Sequence, residues 1–557
     1  MIKDQLKKIV LDSVKMYLNS NSLDMPDFDF DIEIPKNEQF GDYSTNISLI
    51  LSKKIGSNPR DFATALIEII KTENGTFFKE IGIAGPGFIN FHLNESIFLD
   101  GLREIHTAGD RWGSSDAGEN EKVLVEFVSA NPTGYLHFGH ARNAAVGDSI
   151  SRILKYCGYE VTREFYINDA GRQIQLLGES VLVKYRQMFD FEDELPEDGY
   201  KGEYIALIAG KLKADIGDSL VSHDKADAVK KCTEYAYGLL LNDIKSDLND
   251  LGVEFDNWYS EKTEIHNKTN GLNKLEEVKE ILEKKNSLFK NEGALWFKST
   301  DYGDNQDWVL VKSDGTPTYF YADIAYHYDK IKRGFKTLVN VWGADHHSHV
   351  SRLKSAIKAI TNDDSQLDVL LIQFVRLIKE GKEISMSKRE GSFVTLREVI
   401  DEVGSDVTRF FLLMRGTDSH LDFDLDLAKK ESNENPVYYI QYAHARIESV
   451  LTKAKEEKIS PMDHDLVQLN LKEEMDLVKK MLGFQDIVLA SADSLSPHKI
   501  AFYLQEIASD FHAYYNRNKI LSENRGLTSA RLYLIICIQV VIRNGLKLLG
   551  ISAPRSM

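Results

Sequence analysis

Cysteine is nearly missing from this chain: three residues in 557, Cys157, Cys232 and Cys537, each far from the others. So sparse and odd a set argues against a disulfide framework or a cysteine-built zinc site and fits a reducing cytoplasm. Long apolar runs are missing too. The longest near the end, LYLIICIQVVI, is about half of the roughly 20 residues that span a bilayer, and the opening MIKDQLKKIVLDSVKMYL carries charge throughout and no signal-peptide core. A cytoplasmic protein with no membrane association is expected. Positive charge is also short: the formal net charge is −18, which repels a phosphate backbone at long range and argues against indiscriminate nucleic-acid binding. The deficit is uneven, because Ser496 to Met557 holds eight Lys/Arg against three acids. That suits a protein that meets nucleic acid at chosen places, although a solvated helix face reads equally well.

The length is enough for two to four domains. Residues 1–105 read as a small α/β unit: GDYSTNISLILSKKIGSNPRDFATALIEII has helical spacing interrupted at GSNPRD, and GPGFINFHL alternates like a strand. A Gly/Ser/Asp-rich linker follows near 106–121. Residues 120–434 read as an α/β domain with a parallel sheet: KVLVEFVSA as a buried strand, GHARNAAVGDSISRILKYCG as a helix, EVTREFYI as the next strand. TLVNVWGADHH and DVLLIQFVRLI read as further strands of that sheet, and an insertion containing the amphipathic helix KLEEVKEILEKK is expected around 185–290. From 435 to 557 four helical segments suggest a bundle.

The stretch SANPTGYLHFGHARNAAVGDSI sets His137 and His140 three apart between a buried strand and a long helix. Ligands of α/β sheets bind at the carboxyl ends of strands, and a helix N-terminus there favours phosphate. Gly139 admits a ligand close to the backbone, and the two imidazoles can donate to oxygens gaining charge at phosphorus. A shared metal ion or a structural pair are the alternatives; no cysteine or carboxylate nearby completes a ligand set. A second feature, KEISMSKREGSFVTL, puts Ser387, Lys388 and Arg389 beside Gly391 in a cationic loop able to close on a triphosphate.

HFGH followed distally by MSKR resembles the paired signature of class I aminoacyl-tRNA synthetases, whose catalytic domain is a Rossmann-type sheet. The longer context, VEFVSANPTGYLHFGHARNAAVGD, INDAGRQI, WGADHH, MSKREG and GISAPRSM, together with FGDYSTNISLILSK and YAHARI, resembles arginyl-tRNA synthetases over nearly the whole chain. The resemblance implies a ligase that uses ATP, with Mg2+ carried on its phosphates, to join L-arginine to AMP and then to the 3′ end of tRNA. It implies an N-terminal domain touching the tRNA corner, a helical anticodon-binding domain, and activation that requires bound tRNA. It assigns catalysis to His137, His140 and Lys388. ATP binding falls to these three with Gly139, Asp345, Met386 and Ser387. Arginine binding falls to Glu126, Ser129, Asn131, His140, Tyr319, Asp323 and His346, with Glu292 as a further pocket acid. Arginine's planar, permanently charged fork requires carboxylates in set geometry, and Tyr319 and Asp323 stand one helical turn apart. Asp345, His346 and the neighbouring histidines of WGADHHSH also permit a metal reading, but no resident metal site is expected. Ser385 replaces the lysine that usually opens the signature loop; Lys382 is a candidate substitute. In FHAYYNRNK, Tyr514 or Tyr515 is expected to stack on a base and Arg517 and Lys519 to meet phosphate. A monomer is expected. The rival readings are a small-metabolite nucleotidyltransferase and a non-catalytic RNA-binding relative.

Overall fold

Short apolar runs give the larger part of the molecule most of its parallel sheet, and helices follow the strands Lys122–Glu126, Glu160–Ile167 and Thr337–Gly343. The computed structural model describes residues 2–268, 271–384 and 394–557. The chain divides into two units, one of residues 1–112, 447–484 and 510–541, the other of 113–446, 485–509 and 542–557.

In the larger unit five parallel strands lie in the order Leu367–Ile372, Thr337–Gly343, Lys122–Glu126, Glu160–Ile167, Asn257–Ser260. The first strand of this sheet in chain order, Lys122–Glu126, is central, with Val123, Leu124 and Val125 buried. The order reverses beside it, between Lys122–Glu126 and Thr337–Gly343, which places a ligand crevice at their carboxyl ends. The helix Phe138–Tyr156 follows the central strand and is buried along most of its length.

Two expectations are corrected here. DVLLIQFVRLI is not one strand: Leu367–Ile372 closes the parallel sheet, whereas Val375–Lys379 pairs with Lys382–Ile384 and Leu421–Asp424 in a separate three-stranded sheet. The break is held by Arg142, a fully buried guanidinium that donates to the carbonyls of Gln373 (2.9 Å), Ser419 (2.8 Å) and Gly416 (2.8 Å). Nor is 185–290 a single insertion. Helices Arg172–Gln187, Glu203–Ile216 and Lys225–Asp250 form a block, but Asn257–Ser260 returns to the parallel sheet as its edge strand. After the expected helix Lys274–Lys284 comes an antiparallel sheet of Leu288–Asn291, Ala294–Phe297 and Trp308–Val311.

In the smaller unit four antiparallel strands are ordered Ile32–Glu33, Tyr43–Thr45, Phe88–Leu93, Phe78–Ala84. The helix break at GSNPRD occurs as expected: Asn58 caps Pro59–Asn74, accepting from the Arg60 and Asp61 N–H groups, with Pro59 in the first turn where no N–H is needed. The four anticipated C-terminal helices are Pro436–Glu456, Lys472–Leu482, His498–Arg517 and Arg525–Leu548, with Phe484–Asp493 as a further one. Arg525–Leu548 is long and apolar enough to cross a membrane by length and composition, but 78% of its apolar window is buried inside the protein.

Candidate active site

The crevice is built from the end of the central strand. Beyond Glu126 the backbone turns through two left-handed residues without glycine, Val128 (φ 67°) and Ser129 (φ 41°), a conformation costing on the order of 1–3 kcal/mol each that the surroundings must impose. Asn143 imposes it from the helix: its Oδ1 accepts from the Val128 N–H (2.7 Å) while its Nδ2 donates to the Val341 carbonyl (2.8 Å). One side chain thus ties the helix to both strands at the switch point.

His137 stands at the N-cap in extended conformation, and its ring stacks on His140 with centroids 3.6 Å apart. A Cβ at Gly139 would lie 2.8 Å from His137 Nδ1, so glycine is what lets the ring fold over the helix start. Backbone pairing brings the downstream chain to the same place: the Phe138 N–H donates to Val394 O (3.0 Å) and the Leu396 N–H to Leu136 O (2.8 Å). Met386, Ser387 and Lys388, with Ser385, Arg389 and Gly391, lie outside the described residues. Lys382, in the strand Lys382–Ile384, is exposed.

Around Tyr166, at the end of the neighbouring strand, three carboxylates converge. Burial, then the charges of Glu261, Asp323 and Glu126, hold its phenol far above the usual tyrosine range, so the ring stays a neutral donor. Glu261 also meets His266 Nε2 (3.1 Å). Asp323 Oδ2 pairs with Nε2 of the buried His349 (2.8 Å), whose Nδ1 accepts from Arg352 Nε; that donor sets the tautomer. The Arg352 guanidinium in turn lies 4.7 Å from the Trp308 ring centre. Tyr319, first residue of the helix Tyr319–Lys332, is 59% exposed. Asn131 Nδ2 donates to Gln173 Oε1 (2.8 Å), and Ser129 Oγ donates to Glu126 Oε1 (3.0 Å). Asp345 and His346 are exposed on the short helix after Thr337–Gly343, with the Asp345 carboxylate folded over Gly343, where a Cβ would be 2.4 Å from Oδ1. His137, Gly139, His140 and Asp345, and likewise Glu126, Ser129, Asn131, Tyr319, Asp323 and His346, all line one cleft of about 3450 Å³. Glu292 does not: it occupies the exposed turn between Leu288–Asn291 and Ala294–Phe297.

A cleft with an imidazole pair at a helix start and a carboxylate cluster within the same cavity suits a substrate with a phosphate and a cation. Residues 104–412 match the family model of the class I tRNA synthetase (R) catalytic domain, residues 1–93 the arginyl tRNA synthetase N-terminal domain and residues 440–557 the DALR anticodon-binding domain. The chain belongs to the arginyl-tRNA synthetase family. It is 46% identical to an arginine–tRNA ligase of Desulfosudis oleivorans over 95% of both chains, and 42% identical to one of Citrifermentans bemidjiense over the full length of both. Its fold is that of the Thermus thermophilus arginyl-tRNA synthetase structure, with TM-score 0.75 and 23% identity over all of both chains. Its activity is arginine–tRNA ligation, and ATP, arginine and tRNA are its partners. Full-length agreement with ligases supports this over a metabolite nucleotidyltransferase or a non-catalytic relative.

For an arginyl-tRNA synthetase the residues expected to touch RNA fare unevenly. Tyr514 is 1% exposed and its hydroxyl donates to Glu474 Oε1 (2.9 Å), so it is a core residue and cannot stack on a base; burial and Glu474 push its phenol well above its ordinary value. Tyr515 is half-buried and packs on Phe511. Arg517 and Lys519 are exposed, Arg517 lying 3.4 Å from Glu473. Sequence reasoning missed Glu261, Tyr166, Asn143 and Lys330. A signal existed for part of this site: single polar residues inside apolar strand runs, Glu126 in VLVEF and Asn340 in LVNVW, mark a polar row through the sheet that Glu164 continues.

Proposed function

We propose that arginine lies in the acidic end of the cleft with its guanidinium against Asp323 and Glu261 and the Tyr319 ring packed on it. Its α-ammonium meets Asn131, Ser129 and Glu126, and its carboxylate points towards His140, with His346 beside the aminoacyl group. Three carboxylates around Tyr166 and a stacked histidine pair share one cavity, and that carries this reading. Arginine's carboxylate attacks the α-phosphorus of ATP; the bond to pyrophosphate breaks, and His137, His140 and Lys388 stabilise the charge gained by the phosphate oxygens. Asp345 holds the ribose, and Met386, Ser387 and Lys388 bind ATP. The adenylate then passes its arginyl group to a terminal ribose hydroxyl of tRNA, releasing AMP. Positioning and electrostatics carry the step without a general base. Mg2+ arrives on the triphosphate oxygens of ATP.

We assign 1–105 to the tRNA corner, 120–434 to catalysis and 435–557 to the anticodon, with Arg517 and Lys519 on phosphate, in a cytoplasmic monomer whose arginine activation requires tRNA. Charging kinetics of Asp323→Asn test the pocket: an arginine KM raised by about 100-fold with ATP KM unchanged supports it, and an unchanged arginine KM removes Asp323 from the guanidinium site.

A further inference from the structure

The central sheet carries a row of polar side chains at one level: Asn340, Glu126, Glu164 and Asn257 are successive register partners. Two neighbouring buried carboxylates repel unless each has a counter-charge. The end of the helix Tyr319–Lys332 supplies both, Lys330 and Arg333, three residues apart. Arg333 forks onto Glu164 (2.6 and 2.8 Å), which also accepts from Tyr326 OH (2.8 Å) and Asn257 Nδ2 (2.6 Å). Burial opposes ionisation of Glu164, but these partners outweigh it and its carboxyl lies below the ordinary range. Glu164 is fully enclosed.

Glu126 is held differently. Fully buried Lys330 donates from Nζ to Glu126 Oε2 (2.7 Å) and Asn340 Oδ1 (3.0 Å), with the Tyr326 ring 4.1 Å away. Its neighbour His327 is neutral, held well below the usual histidine range by burial and by the Lys330 charge, and accepts from Asn340 Nδ2 (2.7 Å). Glu126 lines the cleft. We propose that Lys330 is a positioning residue for substrate: from beneath the cleft floor it pins the Glu126 carboxylate so that its open edge receives the α-ammonium of arginine. Lys330 touches no substrate. It occupies one side of Glu126 and thereby fixes which side the ligand uses, while Arg333 keeps Glu164 out of the competition.

The inference rests on the assignment of Glu126 to the α-ammonium, and one probe separates the two. 5-Guanidinopentanoate is arginine without its α-amino group; its inhibition constant in tRNA charging reports binding of the guanidinium and carboxylate without the α-ammonium. Lys330→Met is expected to raise arginine KM by about 10- to 100-fold, the worth of one charge-assisted hydrogen bond, while kcat, ATP KM and the inhibition constant of 5-guanidinopentanoate move less than about threefold. If arginine and the probe weaken together, or arginine KM does not move, Lys330 has no positioning role. Glu126→Gln gives the control: an unchanged arginine KM overturns the reading of Glu126 itself, whereas selective loss there without selective loss in Lys330→Met overturns only the inference. Should Lys330→Met fail to fold, Lys330→Gln, which keeps a donor and loses the charge, is read against the same two ligands with the same expected split.

Discussion

Two buried carboxylates, one in each unit, are partnered by a cation and a hydroxyl, yet they are built for different ends. Glu474, fully buried in the smaller unit, accepts on Oε1 from Tyr514 OH (2.9 Å) and Arg531 Nε (3.0 Å), and on Oε2 from the Asn470 and Leu471 N–H groups (3.0 and 3.1 Å). Both oxygens are saturated. Arg531 also donates to Lys519 O (2.9 Å), so the set locks His498–Arg517 and Arg525–Leu548 to Lys472–Leu482. Glu126 has Lys330 on one oxygen and Ser129 on the other, and keeps an edge on the cleft. A closed carboxylate holds helices together; one left open to a cavity is available to a cationic ligand.

The largest effect is expected at the pocket itself. A site shaped for a fork of donors strands its buried acceptors when offered a single ammonium, so kcat/KM for lysine should fall below that for arginine by a factor on the order of 10⁴; comparable charging with lysine would show that the carboxylates do not act as a set. Next, Arg531→Met leaves Glu474 uncompensated and should cost about 3–5 kcal/mol in denaturant unfolding. The folded fraction should retain the wild-type arginine KM, and a rise in that KM would erase the distinction drawn between the two carboxylates.

A smaller effect is read against pH. Because His327 titrates far below its ordinary 6.5, the unfolded chain binds the proton that the folded one refuses. Stability is therefore full above about pH 6.5 and falls as acid is added below it. His327→Asn should flatten that part of the profile; an unchanged slope would mean that other groups produce it. Smallest is Tyr514→Phe, expected to lose about 1 kcal/mol with charging kinetics untouched. A specific loss of tRNA affinity there would restore Tyr514 to the RNA surface.

Parts of the fold and of the cleft lining were legible because their signals are local. Asn58 and Pro59 announce a helix start, and His137, Gly139 and His140 sit within one turn of the strand that aims them. What stayed hidden depends on distant partners. Asn257–Ser260 is four residues long and pairs with a strand about ninety residues earlier, so its pattern resembles a loop. The split of DVLLIQFVRLI is made by Arg142, whose hydrogen-bond partners lie more than two hundred residues away. Tyr514 has the helical spacing of either a core or a surface residue, and only Glu474 decides between them. Glu261 lies in NWYSEKTE with nothing local to mark it; its role is visible only where Tyr166 brings Glu126 and Asp323 beside it.

The most direct measurement is pyrophosphate exchange into ATP with each of the twenty amino acids, with and without tRNA. Exchange should occur with arginine alone, and only when tRNA is present. Comparable exchange with lysine, or none with any amino acid from folded protein that still binds tRNA, would contradict a cleft in which three carboxylates present arginine to the histidine pair.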